Sequence, residues 1–166
     1  MKKLNLVAVL AVALTFVVVG RASAATATAN AVAQIAAAIS ITKTDDLDFG
    51  QVVPSVDPGT VTVPLVGDRT VGGGVTLGNA GSAGPATFDV AGEPNATYDI
   101  TLPAPFNLTG PGDPMLVDGF TCSPGSTGTL NGGGTQALSV GGTLHVGANQ
   151  AAGSYSAVFD VVVAYN

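Results

Sequence analysis

Glycine and proline interrupt this chain so often that little besides short strands can form between them. The interruptions fall at Pro54, Pro58-Gly59, Gly72-Gly73-Gly74, Gly84-Pro85, Pro94, Pro103, Pro105, Gly110-Pro111-Gly112, Pro124-Gly125 and Gly132-Gly133-Gly134. Proline inside a helix removes a hydrogen bond and clashes with the preceding turn, and glycine weakens helix interiors. Between the breaks lie runs carrying β-branched or aromatic residues: TVTVPLV from Thr60, PATFDV from Pro85, ATYDITL from Ala96, MLVDGF from Met115, QALSV from Gln136 and GTLHVGA from Gly142. Short strands with turn signals at this spacing predict an all-β chain, an antiparallel sandwich or barrel. The glycine triplets read as turns. No lysine follows them, position 77 is Leu where a dinucleotide loop needs glycine, and the aspartates of a calcium β-roll are missing.

The first residues bear on the compartment. Met1, Lys2 and Lys3 form a basic head, Leu6 to Val19 is apolar apart from Thr15, and Ala22-Ser23-Ala24 gives the small-residue cleavage pattern. Residues 1–24 are therefore expected to be a cleaved secretory signal peptide, with the mature chain starting at Ala25. The apolar stretch is shorter than the roughly 20 residues that span a bilayer, so no membrane span is expected in the mature chain. Export through the periplasm to the cell surface or medium follows. With the leader removed, Lys43 and Arg69 are the remaining cations against eleven Asp and Glu. So few positive charges cannot follow a phosphate backbone, which excludes nucleic acid as a partner. Cys122 is the sole cysteine, so no internal disulfide can form.

The two ends of the mature chain carry the clearest period-two patterns. From Ser154 to Tyr165 one face reads Tyr155, Ala157, Phe159, Val161, Val163, Tyr165. That alternation predicts one long, half-buried strand, and Val158 and Val162 on the other face point to a central place in a sheet. From Ala25 to Ile41 every odd position is apolar: Ala25, Ala27, Ala29, Ala31, Ala33, Ile35, Ala37, Ile39 and Ile41. Alanine favours helix, but the β-branched residues and the period favour strand. At about 3.3 Å per residue this segment would exceed 50 Å, so residues 25–33 are expected to extend beyond a body of residues 34–166. An alternating apolar strand left unpaired would aggregate. Pairing with the sheet edge of another copy solves this, with Ile35 or the alanines filling a groove. Folding back into its own sheet is the alternative, giving a self-contained surface or matrix-binding module. The candidate interface strands are thus Ala25, Ala27, Ala29, Ala31, Ala33 and Ile35 on one side, and Tyr155, Phe159, Val161, Val163 and Tyr165 on the other.

Chemistry finds little support. His145 is the only histidine, no G-x-S-x-G occurs, and Glu93 is the only glutamate, beside Pro94. Histidine-based triads and metal clusters are impossible, and without tryptophan a carboxylate-pair glycosidase lacks its sugar platform. Asp45, Asp46, Asp48 and Asp57 offer hard oxygens to calcium, but their spacing fits no EF-hand. No enzyme activity, cofactor or metal is expected.

Three segments carry a resemblance: ISITKTDDLDFGQVV from Ile39, PATFDVAGEPNATYDITLP from Pro85, and VGGTLHVGANQAAGSYSAVFDVVVAY from Val140. Together they resemble a family of small secreted bacterial proteins catalogued as a domain of unknown function. The layout is also similar to the pilins of chaperone–usher fimbriae and to spore coat protein U, through Leu47, Phe49 and Gly50 near the start and Gly153, Tyr155, Val161, Val163 and Tyr165 at the end. The resemblance implies an immunoglobulin-like β-sandwich lacking its last strand. A periplasmic chaperone would hold the C-terminal strand, and an outer-membrane usher would pass the subunit on. The extension of another subunit would then complete the fold. This chain departs from many such pilins in lacking a disulfide and in the small side chains of its extension.

Overall fold

The structure, a computed structural model, describes residues 23–166. The expected signal peptide therefore lies outside the described residues but for Ser23 and Ala24. Residues 35–166 form one compact unit, and residues 23–34 fall in a second one, exposed and without strand structure.

The body is all-β among the described residues, as the punctuation predicts. Its strands are β1 (Ser40–Asp45), β2 (Val52–Val63), β3 (Thr70–Leu77), β4 (Ala86–Ala91), β5 (Thr97–Thr101), β6 (Phe106–Leu108), β7 (Met115–Ser123), β8 (Thr127–Thr129), β9 (Thr135–Val146) and β10 (Val162–Tyr165). They build an antiparallel β-sandwich from a seven-stranded and a three-stranded sheet. The larger has the order β1-β4-β9-β2-β3, with β7 also on β9 and β6 on β7. The smaller has the order β10-β5-β8.

The two runs QALSV and GTLHVGA prove to be one strand, β9. Its first half pairs with β4 and its second half with β2, while β7 follows its other side. Gly141 and Gly142 make the passage possible: a Cβ on Gly141 would come 2.5 Å from the Val63 carbonyl, and one on Gly142 would meet Phe120 at 3.1 Å. Side chains there would push neighbouring strands apart.

The triplet Gly72-Gly73-Gly74 is not a turn, as expected from sequence, but the middle of β3. It lies against Gly59 and Thr60 of β2, where a Cβ on Gly74 would overlap the Asp57 carbonyl and Gly73 adopts a φ of 70°. Glycine here serves close backbone approach and a bulge rather than chain reversal.

The C-terminal pattern also differs from expectation. Val162–Tyr165 alone is strand, and it lies at the edge of the smaller sheet instead of its centre. Ser156 forms an isolated bridge with Thr109, and residues 157–161 belong to no strand. The cause is the partner. β5 ends at Thr101, paired with Val162, and the following Leu102-Pro103-Ala104-Pro105 cannot continue the ladder because proline has no N–H to donate. At the other end of the chain, residues 23–39 are outside any strand and β1 begins only at Ser40. The period-two pattern there survives without a neighbouring strand to hydrogen-bond.

Two apolar clusters fill the sandwich. One gathers Phe49, Val61, Val63, Val75, Met115, Val117, Leu144 and Val146. The other gathers Ala86, Val90, Tyr98, Ile100, Leu130, Leu138 and Val140, and Leu47 and Phe120 touch both. Tyr98 is fully buried and its hydroxyl donates to Gln136 Oε1 at 2.8 Å. Burial, assisted by the nearby Cys122, raises its phenol above the ordinary value of 10.0.

Candidate functional site

Beyond β1 the chain runs through Asp46–Val52, with Gly50 at a φ of 65°, and this stretch becomes one wall of a groove. Asp48 exchanges two backbone bonds of 2.9 Å with Gly84, and Gln51 donates to Ala80 O at 3.0 Å while accepting from Gly78 N at 2.9 Å. Arg69 fastens the wall from behind. Its Nη1 donates to the carbonyls of Phe49 and of Gln51, the latter at 3.0 Å, and its Nη2 donates to Gly78 O at 2.9 Å. A guanidinium suits this task because its rigid fork offers several donors at once.

The opposite wall is Gln150–Phe159. Tyr155 organises it by accepting from Gly112 N and Gln150 Nε2 and donating to Ala151 O, each at 2.9 Å. Gln150 also reaches Asp113 O at 2.6 Å. Phe159 stacks on Phe106 with ring centroids 5.4 Å apart, and Phe106 stacks on Phe120 at 5.5 Å. This three-ring stack, with Val161 beside it, holds the unladdered residues 157–161 to the body.

Between the walls lies an open cavity of about 760 Å³, its floor made by Phe49, Phe106, Leu108, Met115, Leu144 and Val146. Phe49, Met115, Leu144 and Val146 are buried core residues of the first cluster, and the half-buried Phe106 and Leu108 pack upon it. Further along, Ile39 and Ile41 on the β1 side and Phe159, Val161 and Val163 on the β10 side pack half-buried on the second cluster. β1 ends the larger sheet and β10 ends the smaller, so among the described residues neither has a strand neighbour on its outer side.

Of the residues singled out from sequence, Tyr155 and Phe159 line the cavity. Val161 and Val163 continue the apolar wall, and Tyr165 stands at the far end, its hydroxyl bonded to Ala37 O at 2.9 Å. Ala25, Ala27, Ala29, Ala31, Ala33 and Ile35 are exposed, Ile35 at 91%. Val32, on the opposite parity, is 92% exposed. The motif Leu47-Asp48-Phe49-Gly50 proves to be groove wall and floor. Arg69 and Gln150 escaped the sequence reading. The rarity of cations pointed towards Arg69, whereas nothing local marks Gln150.

The remaining candidates are dispersed. Asp45 accepts from Thr87, Asp46 pairs with Lys43, and Asp48 accepts from Gly50 N. Among the described residues no group of three or more His, Cys, Asp or Glu could hold a metal ion. His145 lies on the surface, 2.8 Å from Asp118. Cys122 is a free, half-buried thiol against Gly125 O. Among the same residues no helix is long and apolar enough to cross a membrane.

The fold and groove define an antiparallel β-sandwich with a groove beside two edges that are unpaired among the described residues. The chain belongs to the family described as Domain of unknown function (DUF4402), which matches residues 39–165. No curated protein and no solved structure matches it.

Proposed function

We propose that this protein is a structural subunit of a cell-surface fimbria or coat, exported through the periplasm and assembled by β-strand addition. The observation that carries this reading is the groove between Asp46–Val52 and Gln150–Phe159, which lies over the apolar residues of the first cluster. A groove bounded by backbone and floored by apolar side chains suits an extended peptide. Main-chain bonds supply affinity, and alternate side chains supply fit. The occupant is the extension of a second copy or a related subunit, residues 25–35. It is uncharged, alternates in period two, and carries exposed apolar side chains. A periplasmic chaperone that covers the groove during transit and an outer-membrane usher would complete the route.

The test is surface material sheared from the native cells and run on an SDS gel, unboiled beside boiled, with detection of this chain. Strand-added polymers dissociate slowly because each subunit is a completed sandwich. A ladder that collapses to one band on boiling is the expected result. A monomer in both lanes refutes strand addition and favours a self-contained surface module.

A further inference from the structure

At the end of the groove remote from the cavity, three residues form a clasp around the root of the extension. Ala37 N–H donates to Glu93 Oε2 at 2.9 Å, and Ala37 O accepts from the Tyr165 hydroxyl at 2.9 Å. The same hydroxyl accepts from Glu93 N–H at 2.6 Å, so the three residues close a ring of hydrogen bonds. Gly92 makes room for it: a Cβ there would overlap Tyr165 Oη and crowd Leu130 Cδ1 at 3.1 Å. Both backbone polar groups of one exposed alanine, three residues before β1, are thus held by the end of β10 and the loop after β4.

The joint itself is Ile35-Ala36-Ala37-Ala38-Ile39. For the extension to fill its own groove beside β1, it must reverse direction within these residues. Tight hairpins use two-residue turns with positive φ, supplied by Asn-Gly, Asp-Gly or Gly. The joint has none of these residues, and among described non-glycine residues only Asn95 and Asn149 have positive φ. Sequence and hydrogen bonds therefore both oppose reversal.

We propose that the Glu93–Tyr165 clasp on Ala37, with its turn-free joint, is the device that makes strand addition intermolecular. This rests on the strand-addition reading and names what directs it to a second copy rather than to the same chain. Glu93 and Tyr165 are positioning residues and contribute nothing to the groove floor.

The test compares the full chain with Ala36→Asn/Ala37→Gly, which supplies turn chemistry at exposed positions, and with the same pair combined with Tyr165→Phe. Assembly is followed by light scattering, and accessibility of residues 25–34 by limited proteolysis across a concentration series. The wild-type chain is expected to assemble, with its extension cut readily when dilute and protected once assembled. The variants are expected to remain monomeric, with extension cleavage slowed at least tenfold at every concentration. If Tyr165→Phe prevents folding, the surface pair alone stands as the test. Variants that assemble as the wild type does, with extensions cut at the wild-type rate, overturn the clasp while strand addition stands. A wild-type monomer with an already protected extension also overturns it. A wild-type chain that never assembles and is cut at every concentration removes strand addition and the clasp with it.

Discussion

Replacing Phe159 with alanine tests whether the groove wall is held by the aromatic stack. Residues 157–161 have no ladder, so packing by Phe159 and Val161 ties this stretch to the body, and Phe159 is the larger of the two. Its ring stacks on Phe106 at 5.4 Å with an interplanar angle of 16°, and lies 6.3 Å from Phe120. Truncating a fully buried phenylalanine costs about 3–5 kcal/mol, and a half-buried one roughly half of that. Loss of the aromatic pair adds about 0.5–1.5 kcal/mol. The expected total is about 2–4 kcal/mol, which at a urea slope of about 2 kcal/mol/M lowers the unfolding midpoint by roughly 1–2 M. The chain has no tryptophan, so far-UV circular dichroism is the suitable probe. Val158→Ala is the control, because that neighbour is 96% exposed and its loss should stay within about 0.5 kcal/mol. A Phe159→Ala midpoint no lower than that of Val158→Ala would show that the stack does not hold the wall.

Arg69→Ala should remove about 2–3 kcal/mol, since three backbone carbonyls lose a charged donor, and Arg69→Lys should recover only part of it. Thermal melting reads this as a fall of roughly 8 °C, and a change under about 2 °C would contradict the pinning role. Gly74→Ala should cost about 1–3 kcal/mol by forcing β3 away from Asp57, measured in the same melts; an unchanged melting temperature would contradict the close approach. Tyr98→Phe should cost about 1 kcal/mol at neutral pH through the lost bond to Gln136. The raised phenol of Tyr98 stabilises the fold fully below pH 10.0 and loses that contribution as pH rises through the folded value, so Tyr98→Phe should show a shallower alkaline fall in urea midpoint. Assembly should speed up with salt, since Lys43 already pairs with Asp46 and the bodies repel through unbalanced carboxylates. Slower scattering growth between about 0.02 and 0.3 M NaCl would instead indicate an interface held by ion pairs.

How far the fold could be read depended on whether a feature was local. The runs at Pro85, Ala96 and Met115 became β4, β5 and β7 because proline and glycine bound them and alternation gives them a buried face. Gly72–Gly74 misled because a glycine that permits a turn and one that permits close packing look the same along the chain. Only the approach of Asp57 and Thr60 separates the two cases. The C-terminal segment misled for another reason. Its alternation records which side chains face the core, and Phe159, Val161 and Val163 do, but strand also requires a neighbouring backbone, which Pro103 and Pro105 deny. Of the groove, Tyr155 and Phe159 were legible from their period. Met115, Leu144 and Val146 were legible only as core, and buried they are, though they back the cavity.

The geometry of an extended strand decides which extension residue matters most for occupancy. Each ordered backbone residue costs about 1–2 kcal/mol, and each ladder hydrogen bond returns about 0.5–1.5 kcal/mol, so the backbone nearly cancels and side chains determine the balance. Val32 and Ile35 are the large apolar residues here, but three positions apart they face opposite sides of a strand. Presenting Val32 inward would also turn in Thr26, Thr28, Asn30 and Gln34, burying polar groups on an apolar floor. Presenting Ile35 turns in only alanines beside it. In the proposed assembly the odd face would therefore enter, and Ile35 would supply the one large side chain, with about 1.5–3 kcal/mol from its burial. Ile35 also lies two residues before Ala37, so its placement is set by where the clasp grips the chain. If the extension acts as the proposed donor, anchoring its root and seating its largest side chain would thus be coupled through two peptide units.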